Sequence, residues 1–223
     1  MKKITTLLIL NIIIAFGIQA QNITWTGRAN LSVGMDYQSI SYYDGEMFYS
    51  PGGGIGIEGG IQLEIIKNLN LYTSLGYQLN FALQAENNNG VSNRSSFSFN
   101  RKFLTLGVNK IIQLSDINTV QGIILGGGVE FNIPGTMKII ENKDTEFLTK
   151  FKPNLGFHFE TGLRLDLSQG FFLDATIRYR ALEFSGKSFS YSRGSLSGTG
   201  TEFSDMLNAS GIELGATFVK KLK

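Results

Sequence analysis

From Ile23 the chain alternates between two kinds of residue without a break for fifteen positions: Ile23, Trp25, Gly27, Ala29, Leu31, Val33, Met35 and Tyr37 against Thr24, Thr26, Arg28, Asn30, Ser32, Gly34 and Asp36. A period of two places each set on its own face of a β-strand, and the length exceeds the five or six residues usual in soluble strands. The pattern returns at 55–65, 69–81, 104–108, 123–131, 155–165, 171–179 and 212–218. An all-β domain of eight antiparallel strands is therefore expected. In the fourth strand Phe97, Phe99 and Phe103 lie out of phase with Leu104, which implies a bulge near Arg101. Connections alternate in length: 38–51, 84–96, 134–152 and 185–205 are long, while those near Lys67, Ser115 and Gln169 are short.

Alternation does not say which face points inward, but lysine placement does. Lys67, Lys138, Lys143, Lys150, Lys152, Lys187 and Lys220 fall in connections or the tail, and the polar strand face has almost none. A face in contact with water would carry lysine freely. Instead it holds arginine, carboxylates, amides and glycines such as Gly56, Gly60, Gly76, Gly128 and Gly162, a composition suited to the crowded inside of a narrow barrel. The polar face is thus the lumen, and a charge network is expected there from Arg28, Glu58, Glu64, Glu130, His158, Glu160, Arg164, Asp174, Arg178, Arg180 and Glu213. The apolar face meets lipid. On the last strand it presents Ile212, Leu214, Ala216 and Phe218, the segment barrel assembly machinery is expected to read. Trp25, Tyr37, Phe81, Phe131, Phe171 and Tyr179, near strand ends, suit interfacial girdles.

The N-terminus has the zones of a secretory signal: Lys2 and Lys3, an apolar run from Leu7 to Ile18, and a small-residue site ending at Ala20. The run is too short for a membrane helix of roughly 20 residues and is interrupted by Asn11. Residues 1–20 are read as a cleaved signal peptide and 21–223 as one eight-stranded transmembrane β-barrel domain in the cell outer membrane. Cleavage removes two lysines and no acid from a formal charge of +2, so no basic footprint for nucleic acid remains. Without cysteine, and with one histidine, the chain has no disulfide, no thiolate metal site and no multi-imidazole site. No cofactor is expected. A monomer in outer-membrane lipid is.

Lys102-Phe-Leu-Thr-Leu-Gly-Val-Asn-Lys110, Asn154-Leu-Gly-Phe-His-Phe-Glu-Thr-Gly-Leu163 and Phe172-Leu-Asp-Ala-Thr-Ile-Arg-Tyr-Arg-Ala-Leu182 resemble the PorT-like outer-membrane barrels, a grouping akin to the OmpA and OmpX type. The resemblance implies location and fold, and it carries over no catalytic residue.

Three motifs bear on chemistry. His158 has Gly156, Glu160 and Gly162 as its polar-face neighbours, so no serine stands beside it on the strand, and parity turns it into the lumen. Gly54-Ile-Gly56-Ile-Glu-Gly59 has the spacing of a dinucleotide loop but opens a strand instead of a helix. The aromatic stretch Tyr42-Tyr43-Asp-Gly-Glu-Met-Phe48-Tyr49 suits either a binding surface or girdle packing. Eight strands enclose a space that side chains fill, which disfavours a general porin. The leading expectation is a non-enzymatic barrel whose extracellular loops meet a surface or secretion partner or support envelope integrity. A narrow conduit or binder for small apolar molecules, and an outer-membrane lipid-modifying enzyme, are the alternatives. One register is specified: a three-residue loop Ser168-Gln169-Gly170 would set Leu167 against Phe171, Arg164 against Asp174, Glu160 against Arg178 and His158 against Arg180.

Overall fold

The computed structural model describes residues 22–42, 45–80, 82–86, 96–114, 119–141, 145–201 and 206–221. The expected signal segment and Phe81 lie outside the described residues. The strands are β1 (Asn22–Gly34), β2 (Gln38–Tyr42), β3 (Gly45–Tyr49), β4 (Gly54–Ile66), β5 (Leu69–Asn80), β6 (Ala82–Glu86), β7 (Ser96–Gln113), β8 (Val120–Pro134), β9 (Met137–Glu141), β10 (Thr145–Phe151), β11 (Asn154–Ser168), β12 (Phe171–Ala181), β13 (Glu183–Arg193), β14 (Leu196–Thr201), β15 (Met206–Asn208) and β16 (Gly211–Lys221).

Eight of them, β1, β4, β5, β7, β8, β11, β12 and β16, pair antiparallel in that order, and β16 returns to β1, closing the barrel. Closure leaves no sheet edge within the membrane, where an unpaired peptide group would cost several kcal/mol. Apolar positions point out: Ile57 is 62 % exposed, Leu75 and Phe159 are each 68 % exposed, and the outward row of β16 is Ile212, Leu214, Ala216 and Phe218. Trp25, Tyr37, Phe131 and Tyr179 are outward and exposed, and Phe171 packs on Phe218 at 5.3 Å.

Among the described residues, much of the long connections is strand. A span needs about 9–11 residues, yet β7 runs for 18, so it leaves the bilayer and pairs next with β9. From there β9, β10, β13 and β14 continue as one sheet on the extracellular side, while β2, β3 and β6 form a second. Between them lies an apolar core that includes Tyr49, Phe97, Phe99, Phe151, Phe184 and Leu207. Of the aromatic stretch that suited either a binding surface or packing, Tyr49 is buried and stacked on Phe97 at 4.5 Å. Its hydroxyl donates to Gln38 at 2.5 Å, and burial, with Asp36 adding to it, pushes the phenol pKa up.

This core corrects the expected bulge. β7 pairs with β5 and β8 without a shift, and Phe97, Phe99, Arg101, Phe103 and Thr105 all point inward. The inward face changes from apolar to polar as the strand descends from the roof into the lumen, which imitates a phase change in sequence.

The β11–β12 register places Arg164 opposite Asp174, Glu160 opposite Arg178 and His158 opposite Arg180. The turn differs by one residue. Ser168 pairs with Phe171, leaving Leu167 in a bulge, and Ser168, Gln169 and Gly170 take φ of 80°, 52° and 81°. Asp166 supports this left-handed run by accepting the Ser168 N–H at 2.8 Å.

Candidate functional site: the ionic lumen

The inward faces bring four arginines and four glutamates together at mid-height. Arg178 on β12 is the hub: its guanidinium donates to Glu58 at 3.0 Å and to Glu160 at 3.0 and 3.2 Å. It also stands 3.7 Å from Glu130 and 3.8 Å from Glu213. Arg28 reaches Glu160 at 3.3 Å, Glu58 at 3.6 Å and Glu213 at 3.7 Å. Arg180 donates to Glu130 at 2.8 Å, to Gln78 at 3.1 Å and to Glu213. Four cations against four anions leave the cluster formally neutral, the condition under which charges survive away from water.

Arg101 is the member the sequence reading missed. It is fully buried, donates to Glu130 at 3.3 Å and to Gln78 at 3.1 and 2.5 Å, and bonds Asn132. Its guanidinium lies 4.6 Å above the Phe103 ring, which Arg180 shares at 5.8 Å. Thr105 and Asn109 in the same parity were the available signal. Gly76 makes this arrangement fit, because a Cβ there would come within 2.2 Å of the Phe103 ring.

Arg164 and Asp174 form a separate pair near the periplasmic turns. Glu64 is partly exposed and accepts the Asn68 N–H at 2.9 Å, capping the β4–β5 turn. His158 is fully buried. Its Nε2 lies 2.5 Å from the Tyr72 hydroxyl, and its Nδ1 faces Glu130 at 3.6 Å. Gly107 admits the Tyr72 ring, which a Cβ would meet at 2.5 Å. The Ser74 hydroxyl donates into the same cluster, to Glu58 at 3.0 Å. Among the described residues no three His, Asp or Glu side chains are grouped to hold a metal ion.

Little space remains. A polar cavity of about 30 Å³ lies between Arg28, Glu58, Tyr72, Asp174 and Arg178, about the room of one water molecule. A second, of about 70 Å³, opens between Gln62, Asn70, Ile111 and Arg164 near the periplasmic end.

No protein-family model and no curated protein sequence matches the chain. Solved structures do. The chain is similar to the outer membrane protein OprG from Pseudomonas aeruginosa, at 11% identity and TM-score 0.55, covering 92% of this chain and 97% of that one. It is similar to the outer membrane protein AlkL, at 13% identity and TM-score 0.50 over 90% of both chains. A major outer membrane protein from Thermus thermophilus matches at 11% identity and TM-score 0.50, covering 90% of this chain and 99% of that one. The closed barrel, its apolar exterior and this likeness of fold define the class: an eight-stranded outer-membrane β-barrel. It is seated in the cell outer membrane, with its short turns and both strand termini at one end and its β-sheet roof at the other.

Proposed function

We propose that the protein is a non-enzymatic outer-membrane barrel that works at the cell surface through the two sheets its strands build above the bilayer. The observation that carries this reading is the contrast between a lumen sealed by ion pairs and an extracellular part with its own core. A conduit needs a continuous path, and the lumen cavities at mid-height and near the periplasmic end hold about 30 and 70 Å³. Acyl chemistry needs a histidine that substrate reaches, whereas His158 is buried between Tyr72 and Glu130. The test is liposome swelling in small sugars together with single-channel recording. Swelling no faster than protein-free liposomes is expected, and sugar-permeable or conducting vesicles would overturn the reading.

A further inference from the structure

The lipid-facing wall is almost free of charge. Among the described residues its outward strand positions carry three lysines: Lys102 and Lys110 on β7 and Lys220 on β16. The two at the periplasmic end are occupied. Lys110 donates to the Lys67 carbonyl at 3.4 Å, and the Lys220 ammonium lies 5.2 Å from the Phe171 ring centre. Lys102 stands alone at the extracellular end of the wall, with no ion pair or hydrogen bond to any described residue. Eight positions of β7 separate Lys102 from Lys110, roughly 26 Å of strand and about 20 Å of depth at the usual tilt. Lys102 therefore sits at the level of outer-leaflet headgroups.

Below it the wall is indented. A groove of about 640 Å³ runs between Ile57, Leu75, Tyr77, Leu104, Phe131 and Ile133, within the roughly 300–1,000 Å³ range of small-molecule sites. Gly59 keeps its floor open, since a Cβ there would touch nothing within 4 Å. The opposite wall has a second groove of about 510 Å³ over Ala29, Ala175 and Ala216, and no charged residue lines it. Only the first joins an apolar trough to an unpartnered cation at headgroup depth.

We infer that Lys102 and the groove beneath it form a binding site for a phosphorylated, multiply acylated glucosamine lipid of the outer leaflet, with phosphate on the ammonium and an acyl chain in the trough. The argument is charge complementarity at a fixed depth: an ammonium bordering hydrocarbon gains from an anion, and the leaflet at that depth supplies phosphate.

The test uses the mature full-length barrel refolded without native lipid. Bis-phosphorylated lipid A, its dephosphorylated form and phosphatidylglycerol are offered separately in mixed micelles, and retained lipid is counted by native mass spectrometry. Heat-modifiable mobility selects folded variants, and Lys102→Met stands in should Lys102→Gln fail to fold. The wild type should retain about fivefold more lipid A than Lys102→Gln, the effect of one basic residue at an anionic surface. Lys102→Arg and Lys110→Gln should match the wild type, and Gly59→Leu should lower retention by filling the trough. The site is overturned if Lys102→Gln or the dephosphorylated lipid is retained as well as the wild-type pairing, or if Lys110→Gln loses as much. Equal retention of phosphatidylglycerol would overturn the assignment to the outer-leaflet lipid.

Discussion

Arg164 on β11 and Asp174 on β12 stand directly opposite each other and share two parallel hydrogen bonds, Nε to Oδ1 at 2.7 Å and Nη2 to Oδ2 at 2.6 Å. The guanidinium also lies 5.4 Å from the Phe172 ring centre. Planar, bidentate pairing of this kind fixes geometry as well as energy, because two strands slipped by one residue would turn one strand's charges into lipid. Both side chains are nearly buried, but each also borders a small polar cavity.

Asp174→Ala strands the Arg164 charge. Full burial would make the loss about 3–5 kcal/mol, and the adjoining cavities, which admit water, place the expectation near about 3 kcal/mol. Urea unfolding of the barrel in lipid vesicles measures it. Adding Arg164→Leu to Asp174→Ala should recover most of the loss, since both charges are then gone. A single-variant loss below about 1 kcal/mol would mean that the pair is solvated.

How much of this was legible in the chain depends on which face a residue serves. In the membrane the two faces differ in polarity, so period two identifies the strands, the lipid-facing row of β16 and the register that opposes Arg164 to Asp174. Above the membrane the inward face becomes apolar, and the contrast reverses. Phe97, Phe99 and Phe103 therefore looked out of phase, and Arg101 between them was missed although its parity matches Thr105 and Asn109. In β13 the alternation Ser188-Phe-Ser-Tyr-Ser192 is itself a strand signal, set inside the stretch 185–205 that reads as a long connection. Glu64 lies by the β4–β5 turn, a depth along the barrel that parity alone does not report.

The central cluster should behave as a unit. Glu130 faces Arg101, Arg178, Arg180 and His158, and both its oxygens are buried. Glu130→Gln and Arg101→Gln should each destabilise by about 3–5 kcal/mol, while the double variant should cost clearly less than their sum. A coupling energy above about 1 kcal/mol in that cycle is expected, and strict additivity would show that the two side chains act independently.

The roof should loosen without the barrel. Phe184 is fully buried beside Phe99 and Phe151, with ring centres at 6.1 and 6.4 Å. Phe184→Ala opens a cavity worth about 3–5 kcal/mol locally, in the roof core and not in the lumen ion cluster. Protease added to intact cells should cleave the extracellular sheets much faster in the variant, while the membrane-embedded part keeps its heat-modifiable mobility. Loss of both together would show that roof and barrel are one cooperative unit.

The last strand separates the thermodynamics of the barrel from its delivery. Phe218 is 47 % exposed on the lipid face of β16, packs on Phe171 and lies two residues from Lys220, close to the periplasmic boundary. An aspartate at that depth costs little directly, about 0–1 kcal/mol, because it reaches the aqueous interface. Phe218→Asp should therefore refold into vesicles in vitro with nearly wild-type yield and stability. If assembly machinery reads the apolar row Ile212, Leu214, Ala216 and Phe218, as proposed, the same variant should show a several-fold lower yield of heat-modifiable protein in cell outer membranes, with the remainder in the periplasm. Equal yield in cells and in vitro would remove the recognition role from this row, and a shared loss in both would assign Phe218 to barrel stability instead.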